Sequence, residues 1–177
     1  MKKIKLFGLL ALVLLVGCNN EESLQQYYVA NQDNKDFVAF DVPASMFASS
    51  EALSPEQKVT MKTIKKINLL AIPKKTENLH MIEDERNKIA GILKNEKYQL
   101  LMRFGGGDTR MEMYYTGDED AVDEIIVYGF DEERGMGLAR VLGDDMNPGD
   151  ILSLFRSLEK GDLDMDGLKG ITSMFLQ

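Results

Sequence analysis

The spacing of apolar residues predicts strands and helices that alternate along the first half of the chain. The apolar stretches Phe37–Val42 and Ile67–Ile72 have the length of strands, and a proline follows each of them. Between them, Ser54 and Gln57 have the spacing of an N-cap and its capping-box partner around a proline. We therefore expect a strand, a helix that runs toward Lys66, and a second strand.

Further helices are predicted from residues that would share one helical face. A short helix is expected at Ala44–Leu53, and a longer one that ends near Asn95 has apolar positions at Leu79, Ile82, Ile89 and Leu93. Later in the chain, Asn147 and Pro148 begin a helix that ends at Gly161, with core positions at Ile151, Leu154, Phe155 and Leu158. A short final helix is indicated by Leu168, Ile171 and Phe175.

The region between these helices changes to the two-residue period of strands. Strands are predicted at 98–104, 109–116, 124–130 and 135–142. A glycine-rich turn joins the first pair and an acidic turn joins the second, so each pair is expected to form a hairpin. The four strands then make an antiparallel meander.

This order of elements predicts an α+β domain with a mixed β-sheet. Two strand-helix-strand units would be followed by the four-strand antiparallel meander, with the helices packed on one face of the sheet. The predicted domain is single and spans residues 37–177. Residues 19–36 are polar with little apolar periodicity, so we interpret the segment 18–36 as Cys18 followed by a flexible tether with an end-to-end distance of about 24 Å.

The N-terminal residues have the layout of a secretory signal peptide. Lysines at positions 2, 3 and 5 precede the unbroken apolar run Leu6–Val16. As a helix this run would reach about 16 Å, against roughly 30 Å of bilayer hydrocarbon, so it is too short to span a membrane. We expect residues 1–17 to be removed.

The stretch Leu15–Cys18, LVGC, resembles the lipobox of bacterial lipoproteins. The resemblance implies cleavage between Gly17 and Cys18, a diacylglycerol on the Cys18 sulfur and an acyl chain on the new amine. Cys18 is the only cysteine, so it has no partner for an intramolecular disulfide. Several acyl chains hold a protein firmly on a membrane, whereas one holds it marginally. The alternative is an ordinary secretory signal with a chance cysteine.

The charge balance argues against two classes of partner. Without residues 1–17 the chain would lose three lysines and carry 18 basic against 29 acidic residues, a formal charge near −11. An acidic surface repels nucleic acid and anionic lipid headgroups, so we expect neither as a partner.

The residues that most enzymes require are scarce in this chain. His80 is the only histidine, and we interpret it as a solvated residue at the start of a helix. Cys18 would be blocked by lipid, and there is no G-x-S-x-G motif or phosphate-binding loop. Zinc and haem sites lack ligands. We predict a non-enzymatic protein with no cofactor other than its covalent lipid.

One metal candidate is present, and it is weak. Asp162, Asp164 and Asp166 occupy the first, third and fifth positions of an EF-hand-like calcium loop. The twelfth position is Ser173, where a bidentate glutamate would complete the coordination shell. The alternative makes Asp166 the N-cap of the final helix, and we expect any Ca²⁺ binding to be weak.

Six segments carry a family resemblance: FDVPASMF, LSPEQK, IKKINLLA, LMRFG, DEIIVYGFD and RVLGDDMNPGDI. With these in this order, the chain from about residue 37 onward resembles the DUF 4252 lipoproteins, a domain-of-unknown-function family of Bacteroides-type Gram-negative bacteria. The resemblance implies a lipoprotein of the cell envelope. It carries no established active site.

The residues after Cys18 bear on location. Asn19 favours the outer membrane, because an aspartate there would indicate inner-membrane retention by the enterobacterial rule. Glu21 and Glu22 are loosely similar to the acidic surface-export signals of Bacteroides-type lipoproteins. Orientations toward the periplasm and toward the cell surface both stay open.

Charge is segregated along the chain, and this leads to the predicted function. Glu112–Asp166 contains sixteen acidic and four basic residues, whereas six lysines lie in Pro55–Lys75. Hairpin strands alternate direction, so the acidic stretches around residues 118–120 and 144–145 should share one end of the sheet, with the 131–134 turn at the other. We predict that a basic envelope protein contacts Asp118, Glu119, Asp120, Asp144 and Asp145.

Three classes of function stay open on this evidence. The leading one is a lipid-anchored envelope protein that serves as an interaction, accessory or sensing module. The second is a small-ligand or lipid carrier with a pocket between the sheet and the helices. The third is an envelope hydrolase.

Overall fold

A computed structural model describes residues 22–45 and 53–159 of the 177-residue chain. The helices are α1 (Leu24–Asn31), α2 (Pro55–Thr63), α3 (Leu79–Ile92) and α4 (Pro148–Glu159), and a short 3₁₀ turn covers Thr76–Asn78. The strands are β1 (Val38–Pro43), β2 (Ile64–Pro73), β3 (Gln99–Gly106), β4 (Thr109–Asp118), β5 (Ala121–Asp131) and β6 (Gly135–Met146).

The six strands form one sheet in the order β1-β2-β6-β5-β4-β3. The predicted α+β class and the β3–β6 meander are confirmed. The sheet is not mixed, however, because every neighbouring pair is antiparallel. α2 ends at Thr63, and β2 begins at the next residue, Ile64. The last residue of β1, Pro43, pairs with Lys66 near the start of β2. The chain therefore starts β2 where β1 finished, without the return crossing that a parallel strand needs.

The start of α2 is confirmed, but its end is not where the spacing predicted. Ser54 Oγ accepts from the Gln57 N–H at 3.2 Å, and Gln57 Oε1 accepts from the Ser54 N–H at 2.8 Å. This is the predicted capping box. The helix stops at Thr63 instead of continuing toward Lys66, because Ile64 and Ile67 extend the strand and bury their side chains.

Helices cover both faces of the sheet, which corrects the prediction that they share one face. Leu69 and Ile125 belong to the core under α2 and α4, whereas their neighbours Leu70 and Ile126 belong to the core under α1 and α3. Successive side chains of a strand point to opposite faces, so the two cores are separate layers. The apolar doublets in β2 and β5 require cover on both sides.

The predicted tether is wrong for residues 24–31, which form helix α1 of the folded core. Leu24 and Tyr27 have no exposed surface, and the Tyr27 ring meets Phe37 edge to face. A capping box between Ser23 and Gln26 begins the helix. The residues with buried side chains follow the spacing of one helical face: Leu24, Tyr27, Tyr28 and Asn31.

Polar contacts also hold α1 on the sheet. Arg140, which is only 3% exposed, pairs with Glu124 at 2.5 Å and donates to Gln25 of α1 at 2.7 Å. Tyr28 donates to Asp41 of β1 at 2.7 Å. Since a buried charge is costly unless it is paired, the Arg140 and Glu124 side chains are matched where the helix crosses the sheet.

Several predictions lie outside the described residues. These are the signal peptide with Gly17 and Cys18, most of the short helix at Ala44–Leu53, the calcium candidate at Asp162, Asp164 and Asp166, and the final helix. The structure also does not describe the side chains of Phe155 and Leu158, two of the core positions predicted for α4. Within the described part of the chain, no helix is long and apolar enough to cross a membrane.

The docking of α1 can be tested with two apolar substitutions in the same helix. Leu24→Ala removes a fully buried side chain, so we expect a loss of about 2–5 kcal/mol in the free energy of unfolding. Val29, which is 52% exposed, provides the control, and Val29→Ala should change stability by less than about 1 kcal/mol. Urea unfolding of the full chain measures both. Equal small losses would indicate that residues 24–31 form a tether after all.

Candidate functional site

The turns at the two ends of the sheet carry exposed charged side chains. We call the end that carries the β4–β5 turn and the C-terminus of β6 the acidic end. The opposite end carries the β3–β4 and β5–β6 turns, where the Glu132 N–H donates to the Asp108 carbonyl oxygen at 2.9 Å. Helices cover both faces of the sheet, whereas the turns at its two ends are open to solvent.

The structure brings the predicted acidic residues together. Val122 pairs with Met146, so the turn at 118–120 and the residues 144–145 lie at the same end of the sheet. The 131–134 turn lies at the other end, as predicted. The members of the predicted contact set are all exposed: Asp118, Glu119, Asp120, Asp144 and Asp145.

Backbone geometry holds the acidic turn in place. Gly117 has a φ of +97°, and a Cβ at this position would lie 2.9 Å from the Asp123 nitrogen and 3.1 Å from the Ala121 oxygen. Glycine is therefore required at this bend, where the β4–β5 register also shifts. The bend projects the three acidic residues that follow it into solvent.

One of the five predicted residues already has a counter-charge. Asp144 forms an ion pair with Lys65 at 2.5 Å, with side-chain exposures of 65% and 61%. Such surface pairs contribute only about 0–1 kcal/mol. The other four residues take part in none of the ion pairs found among residues 22–45 and 53–159, so the acidic end keeps an excess of negative charge.

A cluster that the sequence did not reveal lies on the α1/α3 side of the sheet, toward the opposite end. Its centre is Glu112, a buried residue of β4 that is 6% exposed. Arg103 donates to Glu112 through Nε at 2.7 Å, and Arg110 donates through Nε at 2.8 Å and lies within 2.5 Å through Nη2. Tyr114 donates to the second carboxylate oxygen at 2.7 Å. We call Arg86, Arg103 and Arg110 with Glu112 the arginine site.

A bulge in β3 explains why this cluster was missed. The β3–β4 register shifts between Leu100 and Met102, which brings Arg103 opposite Glu112. A one-residue shift moves a side chain to the other face of a sheet. Only the pairing of Arg110 with Glu112 could have been found from the sequence, since residues two apart on a strand share a face.

Hydrogen bonds keep the central carboxylate ionised. Burial alone would raise the pKa of Glu112, but hydrogen bonds from Tyr114, Arg110 and Arg103 outweigh it and lower the pKa below the ordinary value. The pKa of Tyr114 rises to about 12, because of burial and its hydrogen bond to Glu112. Glu112 therefore carries a negative charge at neutral pH and holds both guanidinium groups by it.

Arg86 of α3 extends the cluster toward a surface cleft. Its guanidinium carbon lies 3.5 Å from the centre of the Phe130 ring, a cation–π contact. Phe130, Arg86, Leu79 and Ile82 are among the residues that line a cleft of about 260 Å³ between α3 and the β5–β6 turn. Leu79 is 47% exposed at this cleft.

His80 and the possible metal ligands of the described chain are not part of a comparable cluster. His80 lies exposed in the first turn of α3, which confirms its predicted position. Across residues 22–45 and 53–159, no group of three or more histidine, cysteine, aspartate or glutamate side chains could hold a metal ion.

The depressed pKa of Glu112 predicts a pH-dependent contribution to stability. A folded-state pKa below the unfolded value of 4.5 stabilises the fold above that pH, and this stabilisation is lost as the pH falls through the folded pKa. We expect Glu112→Gln to cost about 1–3 kcal/mol at pH 7, and less at pH 3. Glu133→Gln, at an exposed turn, is the control and should change little at either pH. Urea unfolding at both pH values measures this, and an equal cost at both would contradict the role of the charge.

Comparison with known proteins gives one match. A family model described as a domain of unknown function (DUF4252) matches residues 27–154, which is most of the chain. The match begins inside α1, ten residues earlier than the sequence resemblance indicated, in agreement with the inclusion of α1 in the fold. No curated protein and no solved structure matches the chain.

Proposed function

We propose, for a chain that belongs to the DUF4252 family, a role as a lipid-anchored protein of the cell envelope that binds another protein and catalyses no reaction. The partner carries a basic surface and contacts the acidic end. The single observation that carries this proposal is the gathering of exposed carboxylates from two separate turns at one end of the sheet.

The anchor in this proposal is Cys18, modified by diacylglycerol and an N-acyl chain in the outer membrane. The support is the LVGC stretch with its preceding apolar run. Since α1 begins at Leu24, the chain between Cys18 and the fold reaches at most about 21 Å when fully extended. The domain would therefore sit close to the membrane surface, facing the periplasm or the outside of the cell.

The position of α1 also bears on where a partner would be met. The Leu24 N–H donates to the Tyr98 hydroxyl at 3.0 Å. Tyr98 directly precedes β3. The first residue of β3, Gln99, pairs with Tyr115, which lies near the acidic end because Asp118 follows three residues later. The chain from the anchor thus enters the fold on the side of the acidic end, which supports a contact near the membrane. Carboxylates repel anionic headgroups, so a basic protein surface suits this end better than lipid.

Electrostatic attraction between the acidic end and a basic partner acts mainly on the rate of association. Long-range attraction brings partners together faster, while affinity depends on the close contacts formed afterwards. Screening confines the effect to about 8 Å at physiological salt. A steep dependence of the association rate on salt is therefore the signature of the proposed contact.

Charge neutralisation at the two ends of the sheet tests the location of the contact. A photo-crosslinker at Glu119 in intact cells captures the partner, whose association rate with the purified protein is then measured at low and physiological salt. Asp118→Asn with Glu119→Gln and Asp120→Asn should lower the low-salt rate by about tenfold or more. The matched control removes equal charge from the opposite end, by Asp108→Asn with Glu132→Gln and Glu133→Gln, and should leave the rate nearly unchanged. Equal effects of the two triple variants on the association rate would contradict the proposed contact.

The anchor is tested independently by metabolic labelling with a fatty acid. Cys18→Ala removes the thiol to which the lipid would be attached, so labelling and membrane retention should both be lost. Asn19→Ala, next to it, should keep both. Persistent labelling of the Cys18→Ala protein would show that the lipobox interpretation is wrong. Protease treatment of intact cells that express the unchanged protein separates the two orientations, because only a surface-exposed domain would be cleaved.

A further inference from the structure

We infer that the arginine site and the adjacent cleft bind a small organic anion. Its carboxylate or phosphate group would be held by Arg103 and Arg110, and its apolar body would lie in the cleft beside Phe130 and Leu79. This site is separate from the acidic end. It gives a specific chemistry to the small-ligand alternative that the sequence raised.

The two arginines are oriented in advance by a buried carboxylate. Glu112 receives Nε of Arg103 and both Nε and Nη2 of Arg110 on the same oxygen, Oε1. The side chains of Arg103 and Arg110 remain 50% and 48% exposed. A guanidinium has more N–H donors than these contacts use, so donors remain on the outer side of each group. Glu112 is thus a positioning residue. It already fixes the two arginine side chains, so ligand binding costs less of their conformational entropy.

The charges of the cluster do not cancel. Arg103 and Arg110 share the single charge of Glu112, and Arg86 adds a third guanidinium through its stacking on Phe130. The four side chains of the arginine site taken alone therefore carry a positive excess, and the carboxylates of the adjoining cleft lie beside it. Guanidinium groups bind carboxylates and phosphates through paired hydrogen bonds, which makes these anions the fitting ligand class.

Strand register connects the arginines to the cleft. Arg110 pairs with Phe130, and Glu112 pairs with Tyr128, so these side chains lie in adjacent rows on one face of the sheet. Phe130 also lines the cleft, next to the exposed Leu79. A ligand on Arg110 could therefore extend its apolar part past the edge of Phe130, whose ring also holds the Arg86 guanidinium, toward Leu79. The cleft volume of about 260 Å³ limits this part to a small group such as one ring.

Acidic residues at the cleft restrict where the anionic group can lie. Asp131, Glu132 and Glu83 also line the cleft. Asp131 already accepts from the Glu133 and Arg134 N–H groups at 2.8 and 3.0 Å, and from the Thr109 hydroxyl at 2.9 Å. Because these carboxylates repel an anion, the anionic group is expected on Arg103 and Arg110, with only the apolar body in the cleft.

NMR titration of the ¹⁵N-labelled full chain in neutral detergent tests this directly. The arginine Nε–H signals would be followed with inorganic phosphate, phenyl phosphate, benzoate and the uncharged analogue benzamide. We expect saturable shifts of the Arg103 and Arg110 signals with phenyl phosphate or benzoate, and none with benzamide. Tighter binding of phenyl phosphate than of inorganic phosphate would support the use of the cleft. Equal binding of the two phosphates, or no saturable shift with any of the anions, would overturn the proposal.

Substitutions then assign the contact to the arginine site. Arg110→Gln should weaken binding by roughly ten- to hundredfold, because a hydrogen bond to a charged group is lost. Arg103→Lys keeps the charge but not the planar fork, so it should also weaken binding while the protein stays folded. Arg156→Gln, an exposed arginine of α4, makes the same charge change as Arg110→Gln and should leave binding unchanged. Equal losses in the Arg110 and Arg156 variants would show a general charge effect and contradict the site.

Discussion

The central strands of the sheet are apolar on both faces, and the rest of the structure follows from the need to cover both. In β2 and β5, Leu69 and Leu70, like Ile125 and Ile126, are consecutive and buried in different cores. Full burial of such a side chain contributes about 1.5–3 kcal/mol. One layer of helices would leave half of these residues in water, so the fold uses α2 and α4 on one face and α1 and α3 on the other.

Coverage of both faces limits where the two candidate sites can lie. With helices over both faces, both candidate sites lie at the margins of the sheet, one at its acidic end and the other chiefly on β3 and β4. The acidic end collects carboxylates from two turns, while the opposite end holds arginines around a buried Glu112. The proposed protein contact and the proposed anion site are separate, so one domain could meet two chemically different partners. The inclusion of α1 also shortens the connection to Cys18, which links the fold to the proposed anchor.

Local signals in the sequence predicted much of this fold. The capping box at Ser54 and Gln57 and the meander are recognised from neighbouring residues, and strand alternation was enough to bring the two acidic turns to one end. Helix α1 was missed because its buried face consists partly of tyrosine and asparagine, whose burial depends on distant residues such as Tyr98 and Phe37. The arginine site was missed because it depends on the bulge in β3, and register shifts of this kind are set by tertiary packing.

Helix α1 is one of the layers that cover the sheet, and amide hydrogen exchange of the full chain tests its docking most directly. An eight-residue helix is marginal by itself in water, so slow exchange in α1 must come from its docking. We expect the amides of Tyr28–Asn31 to exchange about as slowly as those of β6. Exchange of these amides at the rate of an unstructured peptide, while β5 and β6 stay protected, would contradict this docking.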